Sequence, residues 1–336
     1  MFYRRREFMV LQKGKYNCIT DVGDVKVGHV TLYEKIDDHD TICTGVTAIL
    51  PHSGNLFKKK THAANAVING FGKTTGLVQL DELGLLESPI MLTNTLSVGS
   101  VMQGTLQYML EENEDIGVST GTINLVVGEC NDGYLNSIRL QAVKPEHAIQ
   151  AIKKASTEPV QEGAVGAGKG MACFEYKGGI GTASRIISAG KENYTVGCLV
   201  LSNFGKREQA LFANWNKASL DTPDGSIMII IATDAPLYDR QLKRLASRSA
   251  VGLGRTGSTI DHGSGDIAIA FSTAATFEHN SDHTLGSISF IRDDHPAMGQ
   301  LFQGVIEATE EAIMNSLKHA ETTVGRRGRM LKKAPL

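Results

Sequence analysis

No stretch of this 336-residue chain approaches the ~18 consecutive apolar residues that mark a membrane-spanning helix. The basic opening Met1-Phe2-Tyr3-Arg4-Arg5-Arg6 is not followed by an apolar segment of signal-peptide length. Both absences predict a soluble, unexported, cytoplasmic protein that does not engage a membrane. Close cysteine pairs are also missing. Cys18, Cys43, Cys130, Cys173 and Cys198 are scattered and odd in number, which fits reduced thiols acting as small core residues and not a disulfide framework. Charge of one sign is lacking too: the formal net charge is −2, so a surface built to hold nucleic acid is not expected. No Pro/Ser-rich linker and no repeat divides the chain, so residues 1–336 are predicted to form one domain whose partner is a small molecule.

What is present is an alternation of apolar runs and amphipathic stretches. Asn124–Val127, Val196–Leu201, Ile227–Ile231, Ile267–Phe271 and Ser287–Ile291 read as strands. Helices are expected from Pro145 to Ala155, after Pro236 (with Leu242, Leu245 and Ala246 on one face), and through Phe302, Val305, Ile306, Thr309, Ile313 and Leu317. Strands apolar on both faces must be covered on both sides. The expected class is therefore α/β, a four-layer αββα sandwich.

The most informative segment is Thr222-Pro223-Asp224-Gly225-Ser226, which runs straight into Ile227–Ile231. It places a hydroxyl at the mouth of a buried strand. A glycine there can adopt strained backbone angles and let the Ser226 hydroxyl reach the Gly225 carbonyl. Attack on that carbonyl, an N→O acyl shift and hydrolysis would leave Ser226 as a new N-terminus with a free amine. An α-amine titrates near ~7.7–8.0 and so suits proton abstraction at neutral pH. The same Gly-Ser pair equally suits an ordinary turn before a core strand.

Other segments carry chemistry in the same guarded way. In Asp261-His262-Gly263-Ser264-Gly265-Asp266 the serine and the second aspartate are two apart, which puts both on one side of an extended chain and allows a proton relay; an Asx turn is the plainer reading. His262 also invites a Ser/His/Asp triad. Val126–Tyr134 sets Glu129 and Tyr134 around a polar turn at a strand end, where Glu129 suits a cationic amine and Tyr134 suits an oxyanion or the nucleophile. Asn203 ends another strand with an amide suited to a developing oxyanion, or to a simple turn. Gly163–Gly170 has phosphate-loop spacing but Gly170 stands where a Mg²⁺-binding hydroxyl belongs, which argues against a nucleotide. His279, Asp282 and His283 lack a third ligand at recognised spacing, and the basic tail Arg326–Lys333 reads as a solvated terminus or subunit contact.

Together these segments resemble the self-processing serine aminopeptidases, the family of L-aminopeptidase/D-Ala-esterase/amidase and the β-peptidyl aminopeptidases. The likeness runs through Ile19-Thr20-Asp21-Val22, Val27-Gly28-His29, Thr44–Pro51, Asn69-Gly70-Phe71-Gly72-Lys73 and Leu92-Thr93-Asn94-Thr95 to the Gly-Ser and Ser-Gly-Asp segments. It implies an αββα sandwich resembling N-terminal-nucleophile hydrolases with different connectivity, cut between Gly225 and Ser226 into 1–225 and 226–336. It further implies a tetramer of such pairs and a cofactor-free hydrolase, with no metal, acting on small peptides, amides or esters bearing a free amine. Carried over, Ser226 is the nucleophile and Ser264 and Asp266 assist proton transfer. Asn203 and Tyr134 lie on the oxyanion side, and Glu129 anchors the amine. Some relatives carry glutamate where this chain has Asp266, one methylene shorter. Ornithine acetyltransferases share the self-cleaving architecture but cut before threonine, and an uncleaved binding protein on the same fold is the remaining alternative.

Overall fold

A computed structural model describes residues 10–212 and 225–336. Thr222, Pro223 and Asp224 of the cleavage-site segment, and the arginines of the opening, lie outside the described residues.

The strands are β1 (Lys26–Lys35), β2 (Thr41–Leu50), β3 (Lys59–Gly70), β4 (Leu85–Leu86), β5 (Ile90–Asn94), β6 (Val126–Cys130), β7 (Ala172–Cys173), β8 (Tyr176–Lys177), β9 (Gly179–Ala189), β10 (Glu192–Asn203), β11 (Ser226–Thr233), β12 (Gly265–Glu278), β13 (Thr323–Val324) and β14 (Met330–Leu331). The helices are α1 (Leu77–Glu82), α2 (Val98–Glu112), α3 (Pro145–Lys153), α4 (Asp239–Arg255) and α5 (Pro296–Lys318). One sheet has the order β1-β2-β5-β6 and the other β4-β3-β12-β11-β10-β9, while β7-β8 and β13-β14 are separate two-stranded ladders. Pairing is antiparallel except for β5 with β6 and β11 with β12.

The side-chain period of two sorts each central strand between two cores. Ile227, Ile229 and Ile231 of β11 pack with Leu242, Leu245 and Leu253 of α4 and Leu301, Val305 and Ile313 of α5. Met228 and Ile230 point the other way, into a core shared with Ile49, Ile90, Leu92 and Val126 of the first sheet. On that sheet's far side Val46, Ala48, Met91 and Val127 meet Val98 and Val101 of α2 and Ala148, Ala151 and Ile152 of α3. The result is four layers, αββα.

Most sequence expectations land within a few residues of an element. The helix expected after Pro236 begins at Asp239, and the α3 and α5 stretches each open on a proline, where the missing N–H costs nothing. The strand expected at Ser287–Ile291 is not formed: this segment has no ladder partner among the described residues and its side chains are mostly exposed. The Gly163–Gly170 segment is no phosphate loop. It carries a 3₁₀ turn at Gly166–Gly170, and a side chain on Gly45, Gly163 or Gly168 would collide with neighbouring backbone, so the glycines serve close chain packing. The C-terminal tail Arg326–Lys333, expected to be a solvated terminus or subunit contact, is mostly exposed but anchored to the fold. Leu331 is fully buried with Leu135 and Cys43, and the Arg326 N–H donates to the Leu135 carbonyl at 2.7 Å.

Ile230 is fully buried in the core between the sheets. Truncation to alanine removes three carbons and leaves a cavity where neither sheet can collapse. Ile230→Ala is expected to lower unfolding free energy by about 2–5 kcal/mol, read by chemical denaturation.

Candidate active site

Ser226 is the first residue of β11, is 6 % exposed, and pairs with Asn203 on one side and Gly265 on the other. Its Oγ accepts a hydrogen bond from the Gly265 N–H at 3.3 Å. Before it stands Gly225. Glycine is required here on steric grounds. A Cβ at 225 would collide with the Asn203 carbonyl oxygen and the Phe204 Cα.

Gly265 falls between Ser264 and Asp266, so one backbone contact brings that motif to the strand of Ser226. The Ser264 hydroxyl donates to Asp266 Oδ1 at 2.6 Å, and both residues are buried. The shorter aspartate thus still reaches Ser264. Burial lifts the Asp266 carboxyl from 3.8 to about 6, against the Ser264 hydrogen bond and the Ile227 N–H, which favour the ionised form; Asp261 adds to the rise. Asp266 Oδ2 is buried without a partner. Neither Ser264 nor Asp266 bonds directly to Ser226 Oγ among the described contacts. The loop before them is tied down by Asn69, whose Nδ2 donates to the carbonyls of Asp261 (3.1 Å), His262 (3.0 Å) and Ser264. His262 itself is exposed, and its carbonyl is the group so held, so the triad arrangement is not formed.

Asn203, 6 % exposed, has its amide fixed at both ends. Oδ1 accepts from the Ala172 N–H at 2.8 Å and Nδ2 donates to the Asn131 carbonyl at 3.0 Å, which leaves one of its two amide hydrogens. A small pocket at this point is lined by Asn131, Tyr134, Ala172, Glu175, Asn203 and Gly225 among others. It brings Tyr134 to the Gly225 side of the junction, with Arg329 lying over the Tyr134 ring at 5.0 Å.

Glu129 reaches the same edge from the opposite sheet. It is 3 % exposed; Oε1 accepts from the Lys73 N–H at 3.0 Å and Oε2 accepts from the Thr95 hydroxyl. A Cβ placed on Gly72 would lie 3.7 Å from Glu129 Oε1 and equally 3.7 Å from the Gly265 Cα, so only that glycine separates the carboxylate from the residue touching Ser226. The two sheets are held close beneath the site by Gly128, where any side chain would strike Met228.

Elsewhere the sequence's metal-like cluster comes apart. His279 sits against the Phe57 ring at 4.2 Å and bonds Thr120, while His283 is exposed; no group of three or more His, Cys, Asp or Glu suited to a metal occurs among the described residues. Sequence reasoning missed the Gly265 N–H, Asn131, and the two donors on Glu129. A backbone N–H leaves no sequence signature, whereas Lys73 and Thr95 sit inside segments already singled out for their resemblance.

A buried serine at a strand start, beside a buried Ser-Asp pair and a clamped amide, lies in an αββα frame of the N-terminal-nucleophile hydrolase type. The chain belongs to peptidase family S58, whose family model matches residues 17–331, and is a hydrolase, a serine aminopeptidase. It is similar to the PH0078 protein from Pyrococcus horikoshii OT3, 51 % identical with a TM-score of 0.91, covering 98 % of this chain and 94 % of that one. It is also similar to the L-aminopeptidase D-Ala-esterase/amidase from Ochrobactrum anthropi, described as a prototype for the serine aminopeptidases and a new variant of the Ntn hydrolase fold. That likeness is at 32 % identity and TM-score 0.89, over 97 % and 93 % of the two chains. Among curated sequences it is 38 % identical to the beta-peptidyl aminopeptidase BapA of Sphingosinicella microcystinivorans, over 96 % of this chain and 86 % of that protein.

Because the Asn69 amide reaches three carbonyls around Ser264, Asn69→Ala is expected to destabilise that loop by about 1–3 kcal/mol. Hydrogen exchange of residues 261–266 should quicken accordingly, while exchange in α2 and α3 stays unchanged.

Proposed function

We propose that this chain cuts itself between Gly225 and Ser226, splitting one domain into residues 1–225 and 226–336, and then removes N-terminal residues from short peptides, amides or esters through an acyl-enzyme. The observation that carries the reading is the Gly225–Ser226 junction: a buried hydroxyl at the start of a rigid strand, one residue after a position where only glycine fits.

Ser226 Oγ is the nucleophile, and the Gly265 N–H fixes it. Ser264 donates its proton to Asp266, which leaves its own oxygen as the acceptor for a proton leaving the nucleophile or its freed amine. The remaining hydrogen of the Asn203 amide, with Tyr134 beside it in the same pocket, supports charge on the tetrahedral oxygen. Glu129 holds the substrate amine from the facing sheet, which is why a free amine is required. Water then releases the acyl group, with no cofactor in the cycle. The assembly we propose is a tetramer of cleaved pairs in the cytoplasm. Five buried, unpaired cysteines support the location, and no helix among the described residues is long and apolar enough to cross a membrane.

Purified wild-type protein is expected to run as two fragments and Ser226→Ala as one uncut polypeptide without activity on L-Ala, D-Ala or β-Ala p-nitroanilides. A single intact band that still hydrolyses these amides overturns the reading. Glu129→Gln should cut kcat/KM by about 10–100-fold, mainly through KM, since a charge-assisted bond is worth about 1.5–3 kcal/mol.

The pH dependence follows from Asp266. Its carboxyl must be ionised to take up the proton relayed through Ser264, and burial lifts its ionisation to about 6. Activity is expected to fall as pH drops through about 6, and Asp266→Asn should abolish that limb along with most of the rate. The raised value also means that the folded state binds more protons than the unfolded chain between 3.8 and about 6. Across that window Asp266 therefore subtracts from stability as pH rises.

A further inference from the structure

The peptide plane between Met171 and Ala172 is gripped from both sides. Its N–H donates to Asn203 Oδ1 at 2.8 Å, and its carbonyl accepts from Lys177 Nζ at 2.9 Å and from the Gly178 N–H at 3.0 Å. Lys177 is fully buried, and its Nζ also donates to the carbonyls of Gly168 at 2.9 Å and Gly178 at 2.6 Å. Three acceptors meet the three hydrogens of an ammonium group. A buried cation is a costly way to satisfy carbonyls that backbone N–H groups or water could serve, so its place needs a reason beyond packing.

We propose that Lys177 is a positioning residue for the Asn203 amide. The cation polarises the Met171–Ala172 peptide and fixes its plane. That plane aims the Ala172 N–H at Asn203 Oδ1, and the amide so held presents its remaining hydrogen to the Gly225 side of Ser226. The hairpin that carries both ends of this linkage is itself held in a restricted conformation. Ala172 lies in β7 and Lys177 in β8, and the two residues between the strands, Phe174 and Glu175, have φ of 50° and 58°. Left-handed backbone at two successive non-glycine residues persists only where the surroundings over-determine it. Here Phe174 is fully buried against Phe204, the residue after Asn203, and its N–H donates to the Phe204 carbonyl at 2.7 Å. The hairpin is thus locked to the end of β10 at two points, and Lys177 sets the one that reaches the reacting bond.

This inference rests on the reading of Asn203 given above, and a double-mutant cycle separates the two. Lys177→Met, Asn203→Ala and the double variant are compared in the full chain. The readouts are the rate of fragment formation, kcat and KM on an amino-acid p-nitroanilide, and thermal unfolding. The expected result is a fall in kcat of about 10–100-fold for Lys177→Met with KM changed less than about threefold. In the Asn203→Ala background the lysine change should add almost nothing. If Lys177→Met does not fold, Lys177→Gln, whose amide still serves two of the carbonyls, takes its place with a smaller loss in the same direction. Losses that multiply independently, or a folded Lys177 variant with kcat within twofold of wild type, overturn the inference while leaving the Asn203 reading intact. An Asn203→Ala enzyme of full kcat overturns that reading itself, and the Lys177 inference with it.

Discussion

The parallel pairing of β11 with β12 is the constraint from which the rest of the site follows. Its register sets Ser226 opposite Gly265, so among the described residues the serine hydroxyl accepts its hydrogen bond from a backbone N–H flanked by Ser264 and Asp266. Parallel neighbours need a crossover, and α4 supplies it while covering the outer face of both strands. The antiparallel neighbours then finish where the parallel pair begins. β10 ends at Asn203 beside Ser226, and β3 ends at Gly70 beside Gly265. In the facing sheet β6 ends at Cys130, bringing Glu129 and Asn131 to the same rim. Chemistry contributed by segments far apart in sequence is gathered along one edge by ladder geometry alone.

Two buried carboxylates at that edge are treated differently. Both oxygens of Glu129 meet donors, from Lys73 and Thr95, whereas Asp266 has one oxygen bonded to Ser264 and one buried with no partner. The hydrogen-bonding capacity of the first is met by the protein. A carboxylate that is under-solvated is poised to take up a proton. Deeper in, burial pushes Asp132 up to about 7 and pulls Lys177 down to about 7, while the charge of each favours the charged form of the other and three carbonyls hold the Lys177 ammonium.

The sequence was most readable where periodicity was strict. Ile227–Ile231 declared a doubly covered strand, and Ser264 and Asp266, two apart, do share a side and a hydrogen bond. It was least readable where tertiary context decides. The long strands β1, β2, β3 and β9 carry threonine, glycine, histidine and lysine in mixed order, and no single periodicity announces them. Ser287–Ile291 has strand-like alternation and no neighbour to pair with. Lys177 looks like any solvated lysine until Gly168, Met171 and Gly178 turn their carbonyls on it. Gly225 was singled out for backbone freedom, and its neighbours add a demand the sequence does not show, space against the Asn203 carbonyl and Phe204.

In the six-stranded sheet, β11 and β12 belong to the part after Gly225, while β4 and β3 on one flank and β10 and β9 on the other belong to the part before it. Scission at that peptide would therefore produce two polypeptides woven through each other, the later one wedged as the middle of a sheet whose outer strands come from the earlier one. Pulling them apart would strip two full ladders and open two hydrophobic cores at once. Such a molecule has no separable subunits, and its halves would need to be made as one chain before either had a shape to keep.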